Sequence, residues 1–206
     1  VWSPPDPPPS AARSARRAAV GAAIGIGLAL LALATPLATR SVLVERASSV
    51  ELSVLGIGLL TAALQAWRDE LIQHGVVLRA LPGGVSPLAR VLACGVTSAG
   101  AALGRSDATA RTVFVALLLG LVTGALWVRD RGAWQPWAAS TATRWTVGTL
   151  LSGGLVHVRL ADGAWAGGGA GLLGGTAAAL ALAPAGMVAV VWAARRGISP
   201  PPGRVG

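Results

Sequence analysis

Five polar residues, Asp69, Glu70, His74, Ser140 and Arg144, stand in apolar surroundings at spacings that can carry chemistry. The run from Trp67 to Leu81 has no turn residue before Gly75, which predicts a helix carried on from the apolar segment ahead of it. On that helix Glu70 and His74 are i,i+4 neighbours on one face, so the carboxylate can hold the imidazole by a hydrogen bond or ion pair. Asp69 points about 100° away, one residue's rotation at 3.6 per turn. Ser140 and Arg144 are also one turn apart, next to the apolar run Val147-Gly148-Thr149-Leu150-Leu151. An arginine inside a membrane span costs at least ~2.5–3.5 kcal/mol on insertion scales and needs a wet cavity or a partner. Asp69 and Glu70 are the best-placed partners, because the other acidic residues lie in the tail or in loops nearer the span ends. A carboxylate whose pKa lies near the working pH can activate a water. His74 would assist it, and Ser140 with Arg144 would stabilise an oxyanion. The competing interpretation is a solvated juxtamembrane helix with ordinary charges.

The elements that must position these groups are membrane helices. Of 206 residues 53% are hydrophobic and 12% charged, with mean hydropathy +0.64, which excludes an ordinary soluble domain. About 20 apolar residues cross a ~30 Å hydrocarbon core as a helix. Candidates fall at about 18–38, 51–67, 87–104, 112–128, 133–156 and 167–193. The expectation is an all-α, polytopic transmembrane bundle of about six spans over residues 18–196. A disordered Pro/Arg-rich cytoplasmic tail (1–17) would precede it and a flexible tail (197–206) would follow. With the amino terminus inside, eleven arginines fall on inner connections and five on outer ones, with Arg144 inside a span. The positive-inside rule then gives a multi-pass inner-membrane protein with both termini cytoplasmic. The first segment has some features of a cleaved signal peptide, but its apolar stretch approaches spanning length.

Several other classes are set aside. All 17 basic residues are arginine, scattered singly rather than gathered in a patch, so nucleic acid is not the expected partner. The single Cys94 excludes an internal disulfide framework and a cysteine-based zinc site, and His74 and His157 alone make no dense metal cluster. Gly169 to Gly174 matches a G-x-G-x-x-G pattern, but no strand leads into it and no acidic residue follows at the required distance. Gly171-x3-Gly175 and Gly120-x3-Gly124 read instead as small-residue faces for close helix packing. Trp67, Trp127, Trp134, Trp137 and Trp165 fit an interfacial belt. His157 reads as a loop histidine at the outer end of the fifth span, and no inverted repeat points to a transporter.

Over residues 60–156 the chain resembles the CPBP family, the intramembrane proteases of the type II CAAX prenyl endopeptidase and bacteriocin-immunity (Abi) group. Asp69-Glu70-Leu71-Ile72-Gln73-His74-Gly75 occupies the family's Glu-Glu-x-x-x-Arg-Gly pattern, with Val76-Val77-Leu78-Arg79 following. The glycine-spaced run Leu119 to Trp127, the basic turn Arg129-Asp130-Arg131 and the step Trp134-Gln135-Pro136-Trp137 resemble its second element. The resemblance implies a glutamate and a histidine that activate water for peptide hydrolysis, with a later His and Asn on the oxyanion. This chain departs from that pattern. Residues 87–104 hold no histidine, and Ser140 and Arg144 stand where the family has His-x-x-x-Asn or His-x-x-x-Asp. Asp69 replaces the first glutamate, and His74 the arginine that would hold Glu70.

Two functions follow from the resemblance. One is an impaired member or membrane pseudoenzyme, in which Glu70 or Asp69 pairs with Arg144 and the chain binds a peptide or protein partner. The other is an active, divergent endopeptidase using Asp69, Glu70, His74, Ser140 and Arg144. No cofactor is expected; a divalent metal would lack its family histidine ligands. The expected partners are the lipid bilayer and a peptide or membrane protein.

Overall fold

The computed structural model describes residues 10–106, 108–130, 132–161 and 163–198. Its elements in chain order are α1 (Ala11–Ala38), β1 (Val42–Arg46), α2 (Leu52–Asp69), a π-helical turn (Glu70–Val76) and α3 (Val77–Ala80). Then come α4 (Pro87–Leu103), α5 (Ala110–Asp130), α6 (Trp134–Trp145), a second π-helical turn (Thr146–Leu150), β2 (Val156–Leu160) and α7 (Thr176–Ile198). Two 3-10 turns, Gly168–Ala170 and Leu172–Gly174, precede α7.

The protein is mostly helical, but three of these helices, not six, are long and apolar enough to cross a membrane by length and composition: α1, α5 and α7. The reasons are local. Helix α4 is apolar but only 17 residues long. Helix α2 ends on Arg68 and Asp69, which lowers its hydropathy. The expected span 133–156 begins as the short, polar α6, and from Val156 the chain is extended. The expected span 167–193 does not begin until Thr176, because Gly167 and Gly171 take positive φ and bend the chain through 3-10 turns. The small antiparallel sheet corrects the all-α expectation. Val42-Leu43-Val44-Glu45-Arg46 pairs with Val156-His157-Val158-Arg159-Leu160, two segments rich in β-branched valine. His157 thus lies in a strand opposite Glu45, not in a loop.

One further boundary moves. Helix α1 starts at Ala11, so residues 11–17 are helical rather than tail. Alanine-rich sequence favours the helix, and Arg17 is tied to the buried Asp130 at 2.8 Å. Residues 1–9 and 199–206 of the expected tails lie outside the described residues. The expected helix over 67–81 is present almost throughout, though its middle widens into the π-helical turn.

Close backbone approach organises the bundle. A Cβ on Gly21 or Gly25 of α1 would strike the carbonyl oxygens of Gln135 and Ala139 on α6. Gly120 and Gly124 of α5 do share a packing face, against Ser98 and Cys94 of α4, where a Cβ on Gly124 would lie 2.6 Å from that of Cys94. Gly171 and Gly175 are not on a helix, and the packing expected of them does not occur. The apolar core joins Leu28 and Ala32 of α1 to Val115 and Leu118 of α5 and Leu182 of α7. Tryptophans fasten α2 to α6: Trp137 Nε1 donates to the Ala63 carbonyl at 3.0 Å, and Trp145 Nε1 to that of Leu55 at 3.1 Å.

Candidate functional site

The π-helical turn presents Glu70 and His74 inward, and both are buried. Their side chains meet at 2.7 Å through Glu70 Oε2 and His74 Nδ1. Three more helices close on the pair. From α6, Ser140 Oγ donates to Glu70 Oε1 at 2.5 Å. From α5, Trp127 Nε1 donates to Glu70 Oε2 at 2.7 Å. From α4, Ser98 Oγ lies 3.1 Å from His74 Nε2 and 3.4 Å from Gln73 Oε1. Thr97 Oγ1 donates to the Gln73 carbonyl at 2.9 Å, pinning the widened turn to α4. Widened π turns of this kind often mark functional positions.

Glu70 lies just past the end of α2, outside the three long apolar helices. Burial pushes its carboxyl up, but hydrogen bonds from His74, Ser140 and Trp127, with the charge of the imidazole, outweigh it and hold the carboxyl below its usual value. A carboxylate only accepts, so Nδ1–H is the donor of the bond between His74 and Glu70.

Asp69 has a different setting. Arg144 Nη2 donates to its Oδ2 at 2.7 Å and Arg68 Nε to its Oδ1 at 2.8 Å. The partner expected for Arg144 is therefore Asp69, but the pair is half-exposed rather than buried, with Arg144 40% exposed. The five residues singled out in sequence converge on two adjacent clusters, one buried and one at the surface. Ser140 and Arg144, one turn apart, serve one carboxylate each.

Sequence reasoning missed Trp127 and Ser98. Trp127 has the position of a belt residue, and only the packing of α5 against the π-helical turn reveals its bond to Glu70. The polar pair Thr97-Ser98 inside an apolar helix, facing the Gly120-x3-Gly124 stripe, was the available signal. His157 stands apart, on the sheet. Among the described residues no group of three or more His, Cys, Asp or Glu side chains is disposed to hold a metal ion; Glu70 and His74 supply two ligands.

Comparison of the chain with protein-family models, curated proteins and solved structures found no match.

Chemically, the site is a carboxylate already engaged. Oε1 accepts from Ser140, and Oε2 accepts from both His74 and Trp127. A general base needs a free lone pair and a pKa near the working pH. Glu70 is poorly supplied with both.

Proposed function

We propose that this chain is a CPBP-like membrane protein impaired in the family's carboxylate–water hydrolysis, and that it binds a peptide or membrane-protein partner. One observation carries the reading: three short hydrogen bonds from three elements cap both oxygens of Glu70, the residue that would activate water. Asp69, its neighbour, is held by two guanidinium groups and is a poor base for the same reason. Neither family histidine is present to take over.

The same reading includes about six crossings of the inner membrane, with both termini cytoplasmic. Support comes from α2, whose side chains Leu52, Ile57, Leu60 and Leu64 are all strongly exposed and suit a lipid surface. The contact of Glu70 with His74 favours a second reading, an active divergent endopeptidase, because a carboxylate–imidazole pair survives although both family histidines are lost.

The test is a quenched fluorescent prenyl-peptide offered to the protein in lipid, with wild type beside Asp69→Ala, Glu70→Ala and Arg144→Ala, with and without zinc. Binding without turnover is the expected result. Turnover that disappears on carboxylate removal would overturn the impaired reading and establish the second.

A further inference from the structure

The two-stranded sheet has one covered edge and one open edge. The Ala161 N–H donates to the Ser41 carbonyl at 2.9 Å, and the Ala47 N–H to that of Leu155 at 3.2 Å. In an antiparallel ladder this makes the odd-numbered residues of β1 the ones bonded to β2. The far side of β2 is capped, because the Val158 N–H donates to the Leu151 carbonyl and the Gly153 N–H to that of Val156, both at 2.9 Å. On β1 the even-numbered residues Val44 and Arg46 turn their N–H and C=O groups outward. Among the described residues no hydrogen bond meets them there. The strand is exposed from Leu43 to Arg46, with Leu43 66% and Val44 47% exposed.

An open edge is a template for another strand, which proteins ordinarily blunt with charge. Here that charge is selective rather than repellent. Glu45 is paired with Arg159 at 3.3 Å, whereas among the described residues no carboxylate lies within ion-pair distance of Arg46. A cavity of about 420 Å³ adjoins this end of the sheet, lined by Glu45, Arg46, Ser48, Ser49, Glu51 and His157 among others.

We propose that the free edge of β1 is the docking strand for the peptide partner. An extended segment adds alongside Val44 and Arg46 by main-chain hydrogen bonds, sets an acidic side chain against Arg46 and places a polar side chain in the cavity. Strand addition draws affinity from the backbone and specificity from alternate side chains. The proposal rests on the peptide-binding reading above and names where and how that partner is held. It also accounts for a two-stranded sheet, an element marginal by itself, kept at the end of the bundle.

Val44→Pro deletes the outward N–H without removing a bond between β1 and β2, and proline is tolerated on edge strands. The probe is a fluorescein-labelled peptide alternating valine and aspartate, read by anisotropy on the full chain in nanodiscs. A copy N-methylated along one edge serves as the backbone control and tests the wild type directly, should Val44→Pro unfold. Val44→Pro and the N-methylated probe are each expected to weaken binding about tenfold or more, equivalent to about 1.4 kcal/mol. Val44→Ala should bind like wild type, and Arg46→Ala should lose affinity for the aspartate probe but not for its serine analogue. Equal binding by folded Val44→Pro, or by the N-methylated probe, overturns the edge proposal and leaves peptide binding standing. Failure of the alternating peptide while the prenyl-peptide still binds does the same. Failure of both peptides on wild type removes both readings.

Discussion

Ser140→Ala tests the site most directly, because it deletes one donor to a buried carboxylate and leaves the rest of the chain alone. The lost bond is a 2.5 Å contact from a hydroxyl to Glu70 Oε1, and Glu70 is 4% exposed. A hydrogen bond to a charged group contributes about 1.5–3 kcal/mol, and leaving the buried acceptor unsatisfied carries a comparable penalty. The expected destabilisation is therefore about 2–3 kcal/mol. Arg144→Ala, one turn away, removes a bond of similar length, but Arg144 is itself 40% exposed and Asp69 keeps Arg68 as a partner, so about 0–1 kcal/mol is expected. Both variants would be unfolded in mixed micelles by titration with SDS and followed by tryptophan fluorescence. A double cycle with Glu70→Gln isolates the pair, and coupling of about 1 kcal/mol or more is expected for Ser140. If Arg144→Ala costs as much as Ser140→Ala, or if the cycle shows no coupling, the division into a buried latch and a surface pair is wrong.

Three other outcomes follow from the same structure. Because the Glu70 carboxyl is held below its value of 4.5 in the unfolded chain, its stabilising contribution is full above that pH and declines as pH falls through the folded-state pKa. Glu70→Gln should flatten the acid limb of a stability-versus-pH series, and an unchanged limb would contradict the assignment. Gly25→Ala forces a methyl group onto the Ala139 carbonyl and should cost about 1–3 kcal/mol. Gly27→Ala, with open space around it, should be neutral or stabilising by up to about 1 kcal/mol in the same unfolding assay. Arg17→Ala strips the buried Asp130 of the partner it meets at 2.8 Å and should cost about 1–3 kcal/mol, recovered in part by Asp130→Asn on thermal unfolding.

The helix over Asp69 to His74 and the pairing of Glu70 with His74 were legible because i,i+4 spacing is local. Elimination among few acids narrowed the partner of Arg144 to Asp69 or Glu70, and the packing of α6 against α2 selects Asp69. What was not legible depended on the packing of distant segments. Ser98, Trp127 and Ser140 reach Glu70 and His74 from α4, α5 and α6, and no spacing in one chain states which helices touch. The helices are shorter than the apolar runs for a related reason. Apolar composition persists through 146–156 and 167–175, but the π turn, the valine-rich strand and the positive-φ glycines end or delay the helices there.

Adjacency in sequence also hides the most consequential difference at the site. Asp69 and Glu70 are consecutive, yet one residue's rotation sends the first to the surface and the second between four elements. A carboxylate at the solvent edge, as Asp69 is between Arg68 and Arg144, 65% and 40% exposed, can exchange such partners for water at little cost, so its pairs add little stability. A buried one cannot, so every donor on Glu70 must be supplied by protein and held in place. A buried carboxylate with three donors on its two oxygens joins the π-helical turn to α5 and α6 directly and, through His74, to α4. The donors that satisfy it are also what withdraw it from the base's role. The geometry that makes Glu70 a good latch makes it a poor activator of water.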